Sequence, residues 1–269
     1  MVFGNVAPVA TLVTFHAHPD DECIGCGGVI RKAYEDGHRV VLVVATRGEE
    51  GEVPDDFLAE GEQLWQRRVA ETHAAAEILG VHRVEFLGYN DSGMMGEPSN
   101  DAPGSFWTTP VEEAAAKLAD ILREERADVL TVYDDNGGYG HPDHIQVHRV
   151  GWRAAELAGT PKVYESTINR DQAMRTMSAF AEQATAAGVE LPDIESDANF
   201  GKPESVITTG VDVTDFLDVK RAAMRAHASQ IGEQSFFLSM PDDAFRLMFG
   251  TEWFIRPGDE PGDDLFAGL

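Results

Sequence analysis

Two short segments of the 269-residue chain bring histidine and carboxylate together: His18-Pro-Asp-Asp-Glu22 and His141-Pro-Asp-His144. Imidazole with carboxylate is a donor set for Zn²⁺, and also for Fe²⁺ in a facial triad. A catalytic centre of this kind wants three protein ligands and one open position for water. His18, Asp21 and His144 would supply the three. Zinc in such a site lowers the pKa of its water to roughly 7, and a neighbouring carboxylate can take the proton. Asp20, adjacent to Asp21, is the expected general base. His141 is expected to act as an acid or to stabilise the oxyanion. The carboxylates around it should help it keep its charge at neutral pH, so kcat/KM is expected to rise and then fall with pH.

Each residue also has a structural reading. Asp20 and Glu22 suit the first turn of a following helix, where acids are favoured. Asp143 suits a role behind the metal, orienting a ligand histidine. His16 shares a strand face with His18, and His148 shares a helix face with His144, so either could replace a ligand.

Elements that would carry these segments can be read from the surrounding pattern. Thr11–Phe15 and Val129–Tyr133 are β-branched, apolar runs of the kind that form buried parallel strands, and each ends just before one of the two segments. A helix is expected from Gly25–Gly28 to about Asp36-Gly37, a strand at Arg39–Ala45, and a helix at Glu62–Leu79. A strand at Arg83–Leu87 leads into a long loop, Gly88–Thr109. Val111–Glu125 has its apolar residues on one helical face. A helix from about His144 to Leu157 and a strand at Lys162–Glu165 follow. This alternation predicts an α/β fold: a doubly wound, mostly parallel, Rossmann-like sheet with helices on both faces. Ligands of such sheets bind beyond the carboxyl ends of the strands, so both segments would meet at one edge.

A single domain over 1–269 is expected, with its core at 11–165 and a less regular, substrate-shaping portion at 166–257. That portion contains a helix at Asp171–Ala187, a strand at Ser205–Thr209 and a helix at Leu217–Ser229. The polar tail, 258–269, is expected to fray.

The net charge of −26, from 47 acidic and 21 basic residues, argues against nucleic acid and anionic membrane surfaces as partners. It fits a neutral or cationic small molecule and is compatible with a homo-oligomer. No apolar run approaches the ~18 residues of a spanning helix, and Met1–Ala10 lacks the features of a secretory leader, so the cytoplasm is the expected location. The chain's two cysteines, Cys23 and Cys26, are too few for a disulfide framework or a closed zinc site. They read as small residues packing under the first metal loop.

His18-Pro-Asp-Asp-Glu22 with Gly27-Gly28, and Gly137-Gly-Tyr-Gly-His-Pro-Asp-His144, resemble the PIG-L/LmbE-like N-acetylglucosaminyl deacetylase family. Asn136–His144, Gly48-Glu-Glu-Gly-Glu52 and Asp91-Ser-Gly-Met94 look especially like its mycothiol branch, which holds an inositol-GlcNAc deacetylase and a mycothiol S-conjugate amidase. The resemblance is specific over about Thr11–Arg149 and looser to Ile255, through Arg225-Ala-His-Ala-Ser-Gln230. It implies zinc on His18, Asp21 and His144, Asp20 as base, His141 as acid or electrostatic partner, and Tyr139 as a mobile hydroxyl near the oxyanion. It also implies sugar contacts from Arg68, Asp91 and Glu52. Arg47, Cys23 and Cys26 depart from the family pattern. The function so implied is N-deacetylation of an amino-sugar conjugate, with amide cleavage in a thiol conjugate of that sugar as the alternative. A non-haem Fe²⁺ oxygenase would use the same donors but usually sits on an all-β barrel. A sugar-binding protein with a relict site would not need Asp20 beside a full ligand set.

Overall fold

The computed structural model describes residues 10–187, 200–259 and 261–269, so the expectation about a leader in 1–10 falls outside them except at Ala10. Among the described residues, seven strands form one sheet in the order β3-β2-β1-β4-β5-β7-β6. They are β1 Thr11–His16, β2 Arg39–Thr46, β3 Arg83–Tyr89, β4 Val129–Tyr133, β5 Lys162–Thr167, β6 Thr209–Asp212 and β7 Thr251–Ile255. The first five are parallel, and β7 runs antiparallel between β5 and β6. The helices are α1 Asp21–Gly25, α2 Gly27–Glu35, α3 Leu64–Leu79, α4 Val111–Glu125, α5 Pro142–Ala158, α6 Arg170–Ala187, α7 Leu217–Ala226, α8 Phe236–Ser239 and α9 Asp242–Phe249.

The alternating strand residues pack against two helical layers. Val13, Phe15, Val41 and Val132 meet Leu118 and Leu122 of α4 and Val147 and Val150 of α5. Leu12, Val40, Val129 and Phe254 meet Ile30 of α2, Leu79 of α3 and Met224 of α7 on the other face. Every residue of β1 and β4 is buried, as continuous apolar runs covered on both faces require. After β3 the chain crosses through α4 to β4, on the other side of β1. The order therefore reverses between β1 and β4, which pair directly, Leu12 with Val129 through Thr14 with Thr131. Their carboxyl ends open side by side at this switch point.

Several boundaries move from the sequence expectation. The helix after His18 begins at Asp21 and breaks at Cys26, so two helices stand where one was expected. The helix carrying His144 begins at Pro142, since Pro at N1 costs no hydrogen bond. Ser205–Thr209 is not a strand: Glu204–Val206 makes a 3₁₀ turn and pairing starts at Thr209. The strand β7 and helices α8 and α9 were not foreseen. The tail is not frayed either. Phe266 stacks on His38 with ring centroids 3.9 Å apart, Leu265 is buried, and Lys162 Nζ donates to the Ala267 carbonyl.

The late elements are pinned to the loop after β1 by a buried ion pair. Glu252 of β7 accepts from the backbone N–H groups of Gly28 and Val29 at 2.8 and 2.7 Å, and from Lys220 Nζ of α7. Lys220 Nζ also donates to the carbonyl of Ile24 in α1 at 2.8 Å. Glu252→Ala would leave the ammonium buried without its counter-ion and two helix N–H groups unpaired. Breaking such a pair costs about 3–5 kcal/mol, which for a chain of this size is a fall in Tm on the order of 10 °C. Thermal unfolding of the variant should show it; a fall under about 3 °C would mean that the pair contributes little.

Candidate active site

The first loop leaves β1 at His16 and enters α1 at Asp21. His18 N–H donates to Asp21 Oδ2 at 2.8 Å, which closes the turn and brings the two side chains to the same point. Between them Asp20 is held at φ 102°, a left-handed conformation that non-glycine residues avoid. Such strain costs about 1–3 kcal/mol and persists only where surrounding contacts enforce it.

The second loop leaves β4 and runs through Gly137, Gly138, Tyr139 and Gly140 to α5. Gly137 has φ +63°, and a Cβ there would fall 2.4 Å from His144 Cβ, so glycine is required for the loop to lie against the helix. His141 is the N-cap of α5: its Nδ1 accepts from Asp143 N–H at 3.2 Å. His144 therefore sits in the first turn, with its ring stacked on Tyr133 at 4.5 Å between centroids and its Nδ1 3.2 Å from the Gly137 carbonyl.

The loops converge on a triangle of donor atoms. His18 Nδ1 and His144 Nε2 are 3.3 Å apart, and each is 3.4 Å from Asp21 Oδ2. His18 Nε2 faces away, 3.1 Å from Asp143 Oδ2 and 3.3 Å from Asp91 Oδ1. Asp143 is itself held by the backbone N–H of Ser92 at 2.9 Å and by its hydroxyl. Asp143 thus orients His18 from behind. Burial opposes both charges, yet His144 and His18 hold Asp21 well below the usual carboxylate range, and Asp91, Asp143 and Asp21 raise His18.

The two substitute ligands suggested by the sequence lie elsewhere. His16 Nδ1 is 2.9 Å from Tyr133 Oη, and burial pushes His16 down to about 4. His148 Nδ1 is 3.0 Å from the Tyr133 carbonyl. A ring nitrogen of His141, however, lies within 4.8 Å of nitrogens of His18 and His144, so these three also form a group able to hold a metal.

Asp20 lies beside the triangle with Arg68. Arg68 Nη2 donates to the Pro19 carbonyl at 2.6 Å and is 3.3 Å from Asp20 Oδ2, while Nη1 donates to the Gly48 carbonyl at 2.9 Å. Gly48, at φ +69°, makes room: a Cβ there would lie 2.2 Å from the guanidinium. Burial, opposed by Arg68 and reinforced by Asp21, raises the Asp20 carboxyl to about 6.

His141 does not keep its charge as expected. Burial, with His18 and His144 adding to it, pushes its pKa down to about 3. The carboxylates Asp91 and Asp21 pull the other way and do not prevail. Because Nδ1 accepts the Asp143 N–H, the neutral ring carries its hydrogen on Nε2. In that form it can donate a hydrogen bond from Nε2.

A cavity of about 210 Å³ opens over the triangle, with Asp20, Glu50, Arg68, Asp91, Tyr139 and His141 on its walls. Glu50 takes the place expected for Glu52, which is exposed and does not line it. Arg68 and Asp91 reach the wall, but both are engaged, with Asp20 and His18 respectively. Tyr139 is 41% exposed and lines this cavity and a second one of about 440 Å³, walled by Ile24, Ile168, Phe237, Phe249 and Trp253. Cys23 and Cys26 are buried beneath the first loop, and burial raises both thiols, so neither is poised for redox chemistry. Two participants gave no clear signal in the sequence. Ser92 is the holder of Asp143, and His227 pairs with Glu22 at 2.6 Å. Their places in Asp91-Ser-Gly-Met94 and Arg225-Ala-His-Ala-Ser-Gln230 were the signals that could have pointed to them.

Residues 13–155 match the model of the PIG-L family, described as GlcNAc-PI de-N-acetylase. The 1D-myo-inositol 2-acetamido-2-deoxy-alpha-D-glucopyranoside deacetylase of Acidothermus cellulolyticus is 42% identical, over 97% of this chain and 96% of the relative. The protein of the same name from Streptomyces griseus is also 42% identical, over 97% of this chain and 90% of the relative. Among solved structures, N,N'-diacetylchitobiose deacetylase from Pyrococcus horikoshii superposes with a TM-score of 0.53 at 26% identity, covering 89% of this chain and 74% of that one. The chain belongs to the PIG-L family of de-N-acetylases, hydrolases of a carbon–nitrogen bond.

Proposed function

We propose that this protein is a zinc-dependent deacetylase that releases acetate from the N-acetylglucosamine unit of an inositol conjugate. The observation that carries the reading is the donor triangle. A tetrahedral centre with bonds of about 2.0–2.1 Å sets its ligand atoms about 3.3–3.4 Å apart. The edges formed by His18 Nδ1, His144 Nε2 and Asp21 Oδ2 are 3.3, 3.4 and 3.4 Å. Imidazole and carboxylate are zinc donors, and a fourth corner remains for water. The names of the relatives supply the sugar.

When bound, the zinc ion would serve as a Lewis acid that lowers the pKa of a water and polarises the amide carbonyl. Asp20, ionised at neutral pH, takes a proton from the attacking water as the carbon–oxygen bond forms. His141 Nε2–H donates to the carbonyl oxygen as it gains charge, and Tyr139 lines the same cavity. Asp20 returns the proton to the nitrogen as the carbon–nitrogen bond breaks, leaving acetate and the free amine. Glu50 and Asp91 present carboxylate oxygens to sugar hydroxyls.

A second reading, cleavage of the amide in a thiol conjugate of the same sugar, is favoured by one observation. The apolar cavity shares Asp20, Asp21 and Tyr139 with the polar one and is large enough for an acyl group much bulkier than acetyl. Both substrates should be offered to zinc-loaded protein and free amine measured. The deacetylase reading expects kcat/KM for the N-acetyl sugar to exceed that for the S-conjugate by on the order of ten-fold or more, the scale on which a pocket separates acyl groups. The reverse order would make the protein an S-conjugate amidase, and no amine from either would overturn both.

A further inference from the structure

Asp20 does not hold its left-handed conformation alone. Its N–H donates to Glu22 Oε2 at 3.0 Å, and its carbonyl accepts from the N–H and thiol of Cys23 at 3.1 and 2.9 Å. Glu22 is fully buried, and its other oxygen, Oε1, accepts from His227 Nε2 at 2.6 Å. His227 is also fully buried, immediately after α7 and far from the first loop in sequence. Two residues on, Ser229 donates to the Glu71 carboxylate through its N–H at 2.9 Å and its hydroxyl at 2.6 Å. Glu71 lies one turn from Arg68 on α3, and Arg68 grips Pro19 and Asp20 from the other side. The segment 227–229 therefore touches Glu22, which holds the Asp20 backbone, and the same helix that carries Arg68.

We propose that His227 is a positioning residue for the general base: it fixes the Glu22 carboxylate, which in turn holds the Asp20 backbone in the conformation used for proton transfer. This rests on the reading of Asp20 as base. The competing account is that His227 and Glu22 form a buried pair that merely stabilises the fold.

A double-mutant cycle separates the two. Zinc-loaded wild type, Asp20→Asn, His227→Ala and the double variant are assayed for acetate release from N-acetylglucosaminyl-inositol, with metal content and KM measured for each. His227→Ala should lower kcat by about 10–100-fold, the usual cost of losing a group behind the reacting one, at unchanged KM and metal content. His227→Gln, whose amide nitrogen can reach the same carboxylate, should recover most of the loss. In the Asp20→Asn background, His227→Ala should change kcat by less than about two-fold, because there is no base left to position. The same fractional loss in both backgrounds, no loss in wild type, or a loss that follows metal content would overturn the proposal. If His227→Ala does not fold, His227→Asn takes its place in the cycle, since its shorter amide stops short of Glu22. Undiminished kcat in Asp20→Asn alone would instead overturn the base assignment, and is read independently of His227.

Discussion

His144→Ala is expected to lose its metal. His144 Nε2 is one of three donor atoms, and most of the histidine nitrogens around it are committed elsewhere. His16 faces the Tyr133 hydroxyl, and His148 the Tyr133 carbonyl. The second nitrogen of His18 is taken up by Asp143 and Asp91. The nearest substitute is His141, but its Nδ1 caps α5, and moving the ring would uncap the helix that carries the site. Losing a partner behind a ligand costs 10–100-fold in affinity, so losing the ligand itself should cost more than about 100-fold. Metal analysis after dialysis against a weak chelator would test this. The variant should hold far less than one equivalent and show no activity, while its circular dichroism stays that of the wild type. A full equivalent of tightly held metal in His144→Ala would remove His144 from the ligand set and put His141 in its place.

Asp20→Asn should keep the metal and lose the rate. The amide matches the carboxylate in shape and can still face Arg68 and the water, but it cannot accept a proton. The loss of a general base typically lowers kcat by about 10²–10⁴-fold. The pH profile gives a second signature. Asp20 works ionised, so wild-type kcat/KM should fall as pH drops through its pKa. Burial raises that carboxyl to about 6, and a bound cation would add to the pull of Arg68, so the limb should lie at or below about 6. It is a macroscopic value, shared with the water the base acts on. In Asp20→Asn the limb should flatten. A variant that loses less than ten-fold in kcat, or that retains an unchanged acidic limb with its metal in place, would assign the base to another group. His141, neutral down to about pH 3, should add no basic limb.

The path from sequence to site was short where the chemistry is local. His18, Asp20 and Asp21 are neighbours in the chain, and Pro142 with His144 opens a helix, so side-chain type and spacing were enough to name them. Their convergence followed from one topological rule: strands that carry such loops pair in parallel, and their carboxyl ends share an edge. Nine of the ten elements through β5, all but α1, came from the same local physics, with apolar runs for buried strands and a 3.6-residue period for α4. Tertiary structure decided what depends on contacts between distant residues. Thr251–Ile255 became a strand because β5 offered an edge, and the tail is docked because Lys162 and His38 wait for it. The charge of His141 could not be read from its neighbours in sequence. Burial and two adjacent imidazoles outweigh the carboxylates that the sequence places nearby. Likewise Arg68 and His227 are far from Asp20 in the chain, and only folding brings Arg68 to Asp20 and His227 to Glu22, which holds its strained backbone angle. Residue type sets which reactions a side chain can perform; burial and the partners supplied by the fold set the protonation state and orientation in which it performs them.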